Sequence, residues 1–325
     1  MISAKPAGRL RPDLINLWES EFGTKATRCR SAYIVGTGRG NYVVKPLRVG
    51  AGRAWLTGKL LNANVDCSVL PCLEAGGLDG TYWWHRGNRY LITRHISGRE
   101  ADYWRSDDLG AAVRAMAQFH RYTAKIVAAN QPGWRLLDFH PECAWQHAQA
   151  ELDICYRSAV RTGDSWSKQY LKLWCYFRHQ AVQARRELAT LPRPAGKVIC
   201  YHDWAHHNVL LNEGRAYLID FDAMVIDEVA HDRANLAGRY LRLHGWSHRA
   251  LLQLLRQFDR YYPWRREELA LLRVYLTFPY DYWMIGRQYY LEKQPWSVRY
   301  FQDQWQRKIA PYQAREKVLE LLERM

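Results

Sequence analysis

CYHDWAHHNVLLNEGRAYLIDFD, residues 200–222, holds the densest polar chemistry in the chain. A short β-prone run, residues 197–201, leads into Asp203. Two more short strands, residues 209–211 and 216–219, flank Asn212-Glu213-Gly214, which reads as a hairpin turn. Asp203 therefore follows one strand, Asn208 precedes the next, and Asp220 closes the third. The two ends of a hairpin lie side by side, so Asn208 and Asp220 should converge, and the loop between them and the first strand brings Asp203 to the same spot. Two carboxylates and an amide oxygen are hard ligands that suit Mg²⁺, and Mg²⁺ suits a polyphosphate. The competing reading is a polar loop capped by its own side chains.

On either side of this segment the pattern changes. Residues 31–35 and 41–45 read as strands around Gly36-Thr-Gly-Arg-Gly40, and residues 81–84 and 89–93 as a second pair around His85-Arg-Gly-Asn88. One helix, residues 53–63, interrupts them. A strand follows the glycines 36–40, so they read as a hairpin turn and not as a phosphate loop; a nucleotide-covering turn is expected earlier, near residues 28–31. After Gly98 the spacing of Leu109, Val113, Met116 and His120 is helical, with Ser106 or Asp107 as N-cap. Helices are expected over residues 143–159 and 167–190, the second stopped by Leu191-Pro-Arg-Pro194. From residue 231 the chain is helical again, broken at Gly245, Pro263, Pro279 and Pro295. The fold class is α+β: a β-rich N-lobe, residues 1–95, and a helical C-lobe, residues 96–325.

Composition narrows the function less. The 325 residues are 48% hydrophobic and 24% charged, as in a globular protein. Lys and Arg number 47 against 32 acids, a formal charge of +15 that attracts nucleic acid, nucleotides, anionic polymers or membrane surfaces alike. No motif supports nucleic-acid binding. The 15 Trp and 21 Tyr serve cores, interfaces or ligand platforms. Seven scattered Cys, none in a C-x-x-C pair, read as buried thiols of a reducing compartment. No secretory signal and no apolar run of the ~18 residues a membrane helix needs is visible.

Asp-x-x-x-x-Asn, a hairpin, then Ile-Asp resembles the catalytic and metal loops of the aminoglycoside and choline phosphotransferases, relatives of protein kinases. The resemblance implies a bilobal fold, ATP and Mg²⁺ as cofactors, and transfer of the γ-phosphate to a hydroxyl of a small molecule or glycan. It makes Asp203 the acceptor of the hydroxyl proton, and Asn208 and Asp220 the holders of Mg²⁺. Lys45 becomes the β3 lysine on the phosphates, and Arg94, His95 and Ile96 the hinge that grips adenine. His202, Asp222 and Asp232 stand in support; Asp222 is open between a metal contact and a strand-end cap, and Asp232 between bracing the loop and capping a helix. Tyr42-Val-Val-Lys-Pro46, Leu91-Ile-Thr-Arg-His-Ile-Ser-Gly-Arg-Glu100, Ala117-Gln-Phe-His120, Asp227-Glu-Val-Ala-His-Asp-Arg233, Phe278-Pro-Tyr280, Gln288-Tyr-Tyr290 and Trp296-Ser297 are similar to the CotS family of spore coat-associated proteins. That likeness implies synthesis in the mother-cell cytoplasm, assembly onto the spore coat, and other coat proteins as partners.

Two departures favour a catalytically weak, structural coat protein instead. Where active phosphotransferases carry His-Gly-Asp, this chain has Tyr201-His202-Asp203. Kinases hold the β3 lysine with a helix glutamate, yet no acid stands between Lys45 and Asp66, a stretch with Arg48, Arg53 and Lys59. Arg94 is expected to add a further cation to the cleft. His202, His206 and His207 form no closed zinc set. The pairs His202-Asp203 and His231-Asp232 resemble those of HD phosphohydrolases, which sit on helices, whereas the first pair here abuts strands. His120, on an apolar helical face, reads as a satisfied core histidine.

Overall fold

The structure is a computed structural model and describes residues 26–37, 40–47, 49–62, 68–71, 83–85, 88–129, 132–194 and 196–325. Among these, β1 (Ala26–Cys29), β2 (Ala32–Thr37), β3 (Gly40–Pro46), β4 (Trp83–His85) and β5 (Asn88–Arg94) form one antiparallel sheet in the order β1-β2-β3-β5-β4. Both expected hairpins are present, with Thr37 opposite Gly40 and His85 opposite Asn88. Gly38, Arg39, Arg48, Thr81, Tyr82, Arg86 and Gly87 lie outside the described residues.

Strand alternation sorts the sheet into two faces. Tyr33, Val35, Tyr42, Val44, Tyr90 and Ile92 form a small core on one face. Lys45 lies on the other, opposite Leu91, which joins the large core. Helix α1 (Ala51–Asn62) packs its Ala54, Leu56, Leu60 and Leu61 into that same large core.

The chain leaves the sheet at Arg94, and residues 95–98 carry it across to β6 (Arg99–Glu100). There Arg99 clasps Asp108 through two bonds of 2.5 and 2.7 Å. Asp108 belongs to α2 (Ser106–Ala128), whose N-cap is Arg105 and not the expected Ser106 or Asp107. Asp107 and Asp108 instead occupy the first turn, where acidic charge complements the helix dipole.

The helical remainder contains α3 (Pro141–Thr162), α4 (Ser165–Lys172) and α5 (Trp174–Thr190). The single helix expected over residues 167–190 is two, parted at Leu173. The expected β insert is shared between two sheets. β7 (Val198–Cys200) pairs with β10 (Val225–Asp227), whereas β8 (Val209–Asn212) and β9 (Arg215–Leu218) form a hairpin joined by β6. Glu213 and Gly214 in its turn both have positive φ, 48° and 76°, as a tight hairpin requires.

Helices α6 (Val229–Leu243), α7 (His248–Tyr261), α8 (Arg266–Thr277), α9 (Tyr280–Gly286), α10 (Val298–Lys308) and α11 (Tyr312–Glu323) complete the lobe. Buried Arg233 joins α6 to α8 and to the segment before it: it pairs with Glu268 at 3.1 Å and lies 3.8 Å from the Tyr262 ring and 4.4 Å from the Trp264 ring. Of the described cysteines, Cys155 and Cys200 are buried as expected, but Cys29, Cys143 and Cys175 are exposed. Among the described residues no helix is long and apolar enough to cross a membrane.

Candidate functional site

The β8–β9 hairpin aligns its two polar ends. Val209 faces Leu218, and the next backbone bond, from Ile219 N–H to the Asn208 carbonyl, measures 3.0 Å. Asn208 and Asp220 therefore leave the hairpin side by side. Asp220 has φ 70°, a left-handed turn that ends the strand there.

Asp203 reaches Asn208 across the loop: Asn208 Nδ2 donates to Asp203 Oδ2 at 2.9 Å. A residue that sequence reasoning passed over takes the other carboxylate oxygen. Arg239 Nη2 on α6 donates to Asp203 Oδ1 at 2.5 Å. Arg239 Nε donates to Asn235 Oδ1 at 3.0 Å, and Asn235 in turn binds the Trp204 N–H and the His202 carbonyl. Asp232, Asn235, Arg239 and Arg242 fall three or four apart, one stripe of a helix. That spacing was the available signal.

Asp232 lies under the loop, wholly buried. It accepts from the Tyr201 N–H at 2.9 Å, the His202 N–H at 2.7 Å and His120 Nε2 at 2.8 Å. Burial pushes its carboxyl up, yet the His120 bond and charge and the loop amides outweigh that and hold it below the usual range. Asp232 thus braces the loop, and His120 is a satisfied core residue, its Nδ1 3.2 Å from the Tyr262 hydroxyl. Cys200, His120 and Asp232 have ligating atoms within 4.8 Å of one another. Hydrogen bonds already account for all three, since the Cys200 thiol donates to the Glu228 carbonyl at 3.2 Å.

His202 stands where the phosphotransferase pattern has glycine, and its φ is 62°. Its Nε2 lies 2.8 Å from His231 Nε2, and His231 Nδ1 lies 2.6 Å from Asp227 Oδ2. A carboxylate accepts, so His231 gives its Nδ1 proton to Asp227 and its Nε2 accepts from His202. Burial first, then the neighbouring His231, push the His202 pKa down to about 3. Tyr201, fully buried, fills the place of the pattern's histidine and donates its hydroxyl to the Ile219 carbonyl.

The N-lobe contributes Lys45. Its ammonium lies 2.5 Å from Asp220 Oδ1 and 2.9 Å from Asp222 Oδ2. Lys45 therefore has acidic partners, supplied by the segment after β9 in place of a helix glutamate. Asp222 is a lysine partner, and its Oδ1 is buried without a hydrogen bond. α1 carries no acid, and its Arg53 Nη2 donates to the Met224 carbonyl at 2.7 Å. At the β1–β2 turn Arg30, φ 53°, pairs with Glu100 at 2.5 Å.

The crossing segment is anchored by the His95 N–H on the Asn41 carbonyl, 2.9 Å. Arg94 pairs with Tyr42 and so falls on the face opposite Lys45, where it is exposed. The register thus turns its charge away from Lys45, a correction to the sequence expectation.

No family model matches the chain. Its sequence is 22% identical to Spore coat protein S of Bacillus subtilis over 247 residues, 72% of this chain and 69% of that protein. Its fold superposes on an aminoglycoside phosphotransferase from Alicyclobacillus acidocaldarius with TM-score 0.76 and 17% identity, covering 98% of this chain and 96% of the other. A spectinomycin phosphotransferase solved with ADP and spectinomycin matches with TM-score 0.69 and 12% identity, over 98% and 100% of the two chains. The chain thus has the fold of the aminoglycoside phosphotransferases, and its sequence is similar to that of Spore coat protein S.

Proposed function

We propose that the chain is an ATP-dependent phosphotransferase acting on a hydroxyl group, with residues 1–95 covering the nucleotide and residues 96–325 carrying the acceptor. One observation carries this reading: Lys45 of the sheet meets Asp220 and Asp222 of the helical lobe at 2.5 and 2.9 Å. A lysine from the sheet and two carboxylates from the helical lobe are what triphosphate and metal together require.

The donor set fits Mg²⁺. Asn208 keeps its Oδ1 for a cation while Nδ2 binds Asp203, and Asp222 has an unpaired buried Oδ1. Hard oxygens of this kind are the usual Mg²⁺ environment. Bound there, Mg²⁺ would neutralise charge on the phosphates. Lys45 would exchange its carboxylates for phosphate oxygens, and the backbone of His95 and Ile96 would face the adenine. Asp203 would orient the acceptor hydroxyl and take its proton. The acceptor oxygen then bonds the γ-phosphorus as the bond to the β–γ bridging oxygen breaks, and ADP leaves.

Unfolding followed with ATP, with and without Mg²⁺, tests the site. Ligand at about 100 times its Kd should stabilise the protein by about 2.7 kcal/mol, only with Mg²⁺, and Asp220→Ala should abolish the effect. No shift at saturating nucleotide rejects the reading.

A second reading has its own support. Arg239 neutralises Asp203, and the homologue is named as a spore coat protein. In that case the chain is a coat component, made in the mother cell and assembled with other coat proteins, that holds nucleotide without turnover. Metal-dependent stabilisation with no consumption of ATP over a broad acceptor panel would decide for it.

A further inference from the structure

We propose that the acceptor held beside Asp203 is an anion: a small hydroxyl compound that also carries a carboxylate or a phosphate. The inference rests on the phosphotransferase reading and names its substrate class.

On the side that faces α6, Asp203 meets the cation Arg239, and a second cation follows one turn on. Arg239 and Arg242 stand three residues apart on that helix, the first 2.5 Å from Asp203 Oδ1 and the second 3.1 Å from Asp281 Oδ2. Lys308, the last residue of α10, is half-buried and makes no ion pair within 4 Å among the described residues. Its ammonium is held below the usual lysine range. Burial is the main cause, Asp281 opposes it, and the positive charges of Arg242, Arg239 and Arg307 add to it. Asp203 and Asp281 each already face an arginine, Arg239 and Arg242, which leaves Lys308 without a carboxylate at ion-pair distance among the described residues. Tyr280, 53% exposed, borders the group; Asp281, Arg239, Asp203 and Arg242 all act on its hydroxyl.

Such a site disfavours ammonium compounds by repulsion. It favours an anion that neutralises Lys308. It also gives Arg239 a task in turnover. A guanidinium has five N–H donors in a rigid fork. Arg239 can keep Nε on Asn235 while its terminal nitrogens pass from Asp203 to the incoming anion. That exchange releases Asp203 Oδ1 for the acceptor hydroxyl, so the base becomes available only when the acceptor is present.

Calorimetric titration of the full chain, with and without Mg²⁺ and AMP-PNP, tests this with glucose 6-phosphate, gluconate, glucose, choline and kanamycin. The phosphate or the carboxylate sugar, or both, should bind at least about tenfold more tightly than glucose, the discrimination expected of one charged hydrogen bond; the two arms distinguish the anion. Choline and kanamycin should not bind. Arg242→Gln and Lys308→Gln should each weaken the anion about tenfold, Arg242→Lys should restore much of it, and Arg161→Gln, an exposed change on α3, should leave it unaltered. Equal binding of glucose or the ammonium compounds overturns the proposal on wild-type protein alone. So does an anion affinity that is unchanged in both variants, or equally reduced by Arg161→Gln. An intact Mg²⁺-dependent nucleotide shift without anion preference rejects this inference only, whereas anion binding without a nucleotide shift rejects the phosphotransferase reading.

Discussion

His202 carries two loads at once. Its backbone has φ 62°, the region that glycine enters freely and other residues at a cost of roughly 1 kcal/mol. Its ring is packed against His231 and kept neutral, with its pKa pushed down to about 3. An unfolded histidine binds its proton near pH 6.5, whereas the folded one stays neutral until about pH 3. The stabilisation is therefore complete above pH 6.5 and is lost as the pH falls below it. Because the side chain retains some contact with solvent, the expected loss by pH 5 is about 1 to 2 kcal/mol. Urea unfolding at pH 7 and pH 5 measures it. His202→Gly should flatten that difference, since glycine accepts the backbone angle and removes the titrating ring. An unchanged acid slope in the variant would assign the loss to other groups. The substitution of Tyr-His-Asp for His-Gly-Asp was plain in the sequence, but its consequence was not: Asp232 and Asn235, thirty residues on, hold the loop in place.

At the scale of elements, the β8–β9 hairpin and the helix stripe of α6 do most of the positioning. The hairpin was legible because turn residues and β-prone runs are local signals. β6 and β10 were not, because strands of two and three residues are defined only by distant partners, Leu211 and Cys200 among them. The break at Leu173 was equally hidden, since apolar periodicity continues through it. Gly98 shows how tightly the crossing segment sits on the hairpin. A β-carbon there would stand 2.5 Å from the Leu211 carbonyl oxygen. The neighbour is backbone, so strand β6 would have to shift. Gly98→Ala should destabilise by about 1 to 3 kcal/mol, the usual range for overpacking, read as a lowered urea midpoint. It should also reduce the nucleotide-induced shift, because β8 begins at Val209, directly after Asn208. A variant with wild-type midpoint would show that the contact relaxes freely.

Across the whole molecule, the N-lobe sheet has its own small core, separate from the large one that continues from α1 into the helical lobe. Among the described residues Leu91 of β5 joins that large core, and ion pairs add two ties between the sheet and the lobe: Lys45 to Asp220 and Asp222, and Arg30 to Glu100. The second pair is exposed and contributes little. Lys45→Met should therefore loosen the sheet selectively. Amide exchange in β2 and β3 should quicken while α6 and α8 remain protected, because exchange reports local opening. Uniform loss of protection in both lobes would show that the lysine supports the fold as a whole.

The α+β order, the hairpin and the grouping of Asp203 and Asp220 about Asn208 were determined by the sequence alone. They rest on short-range signals: strand and helix periods, turn residues, and polar groups at strand ends. Tertiary structure decided which charges meet. Arg239 on Asp203, Asp222 on Lys45, Asp281 on Arg242 and Arg94 turned to the far face each depend on elements that are remote in sequence and adjacent only after packing. Electrostatic energy depends on distance and burial, and both are properties of the folded chain.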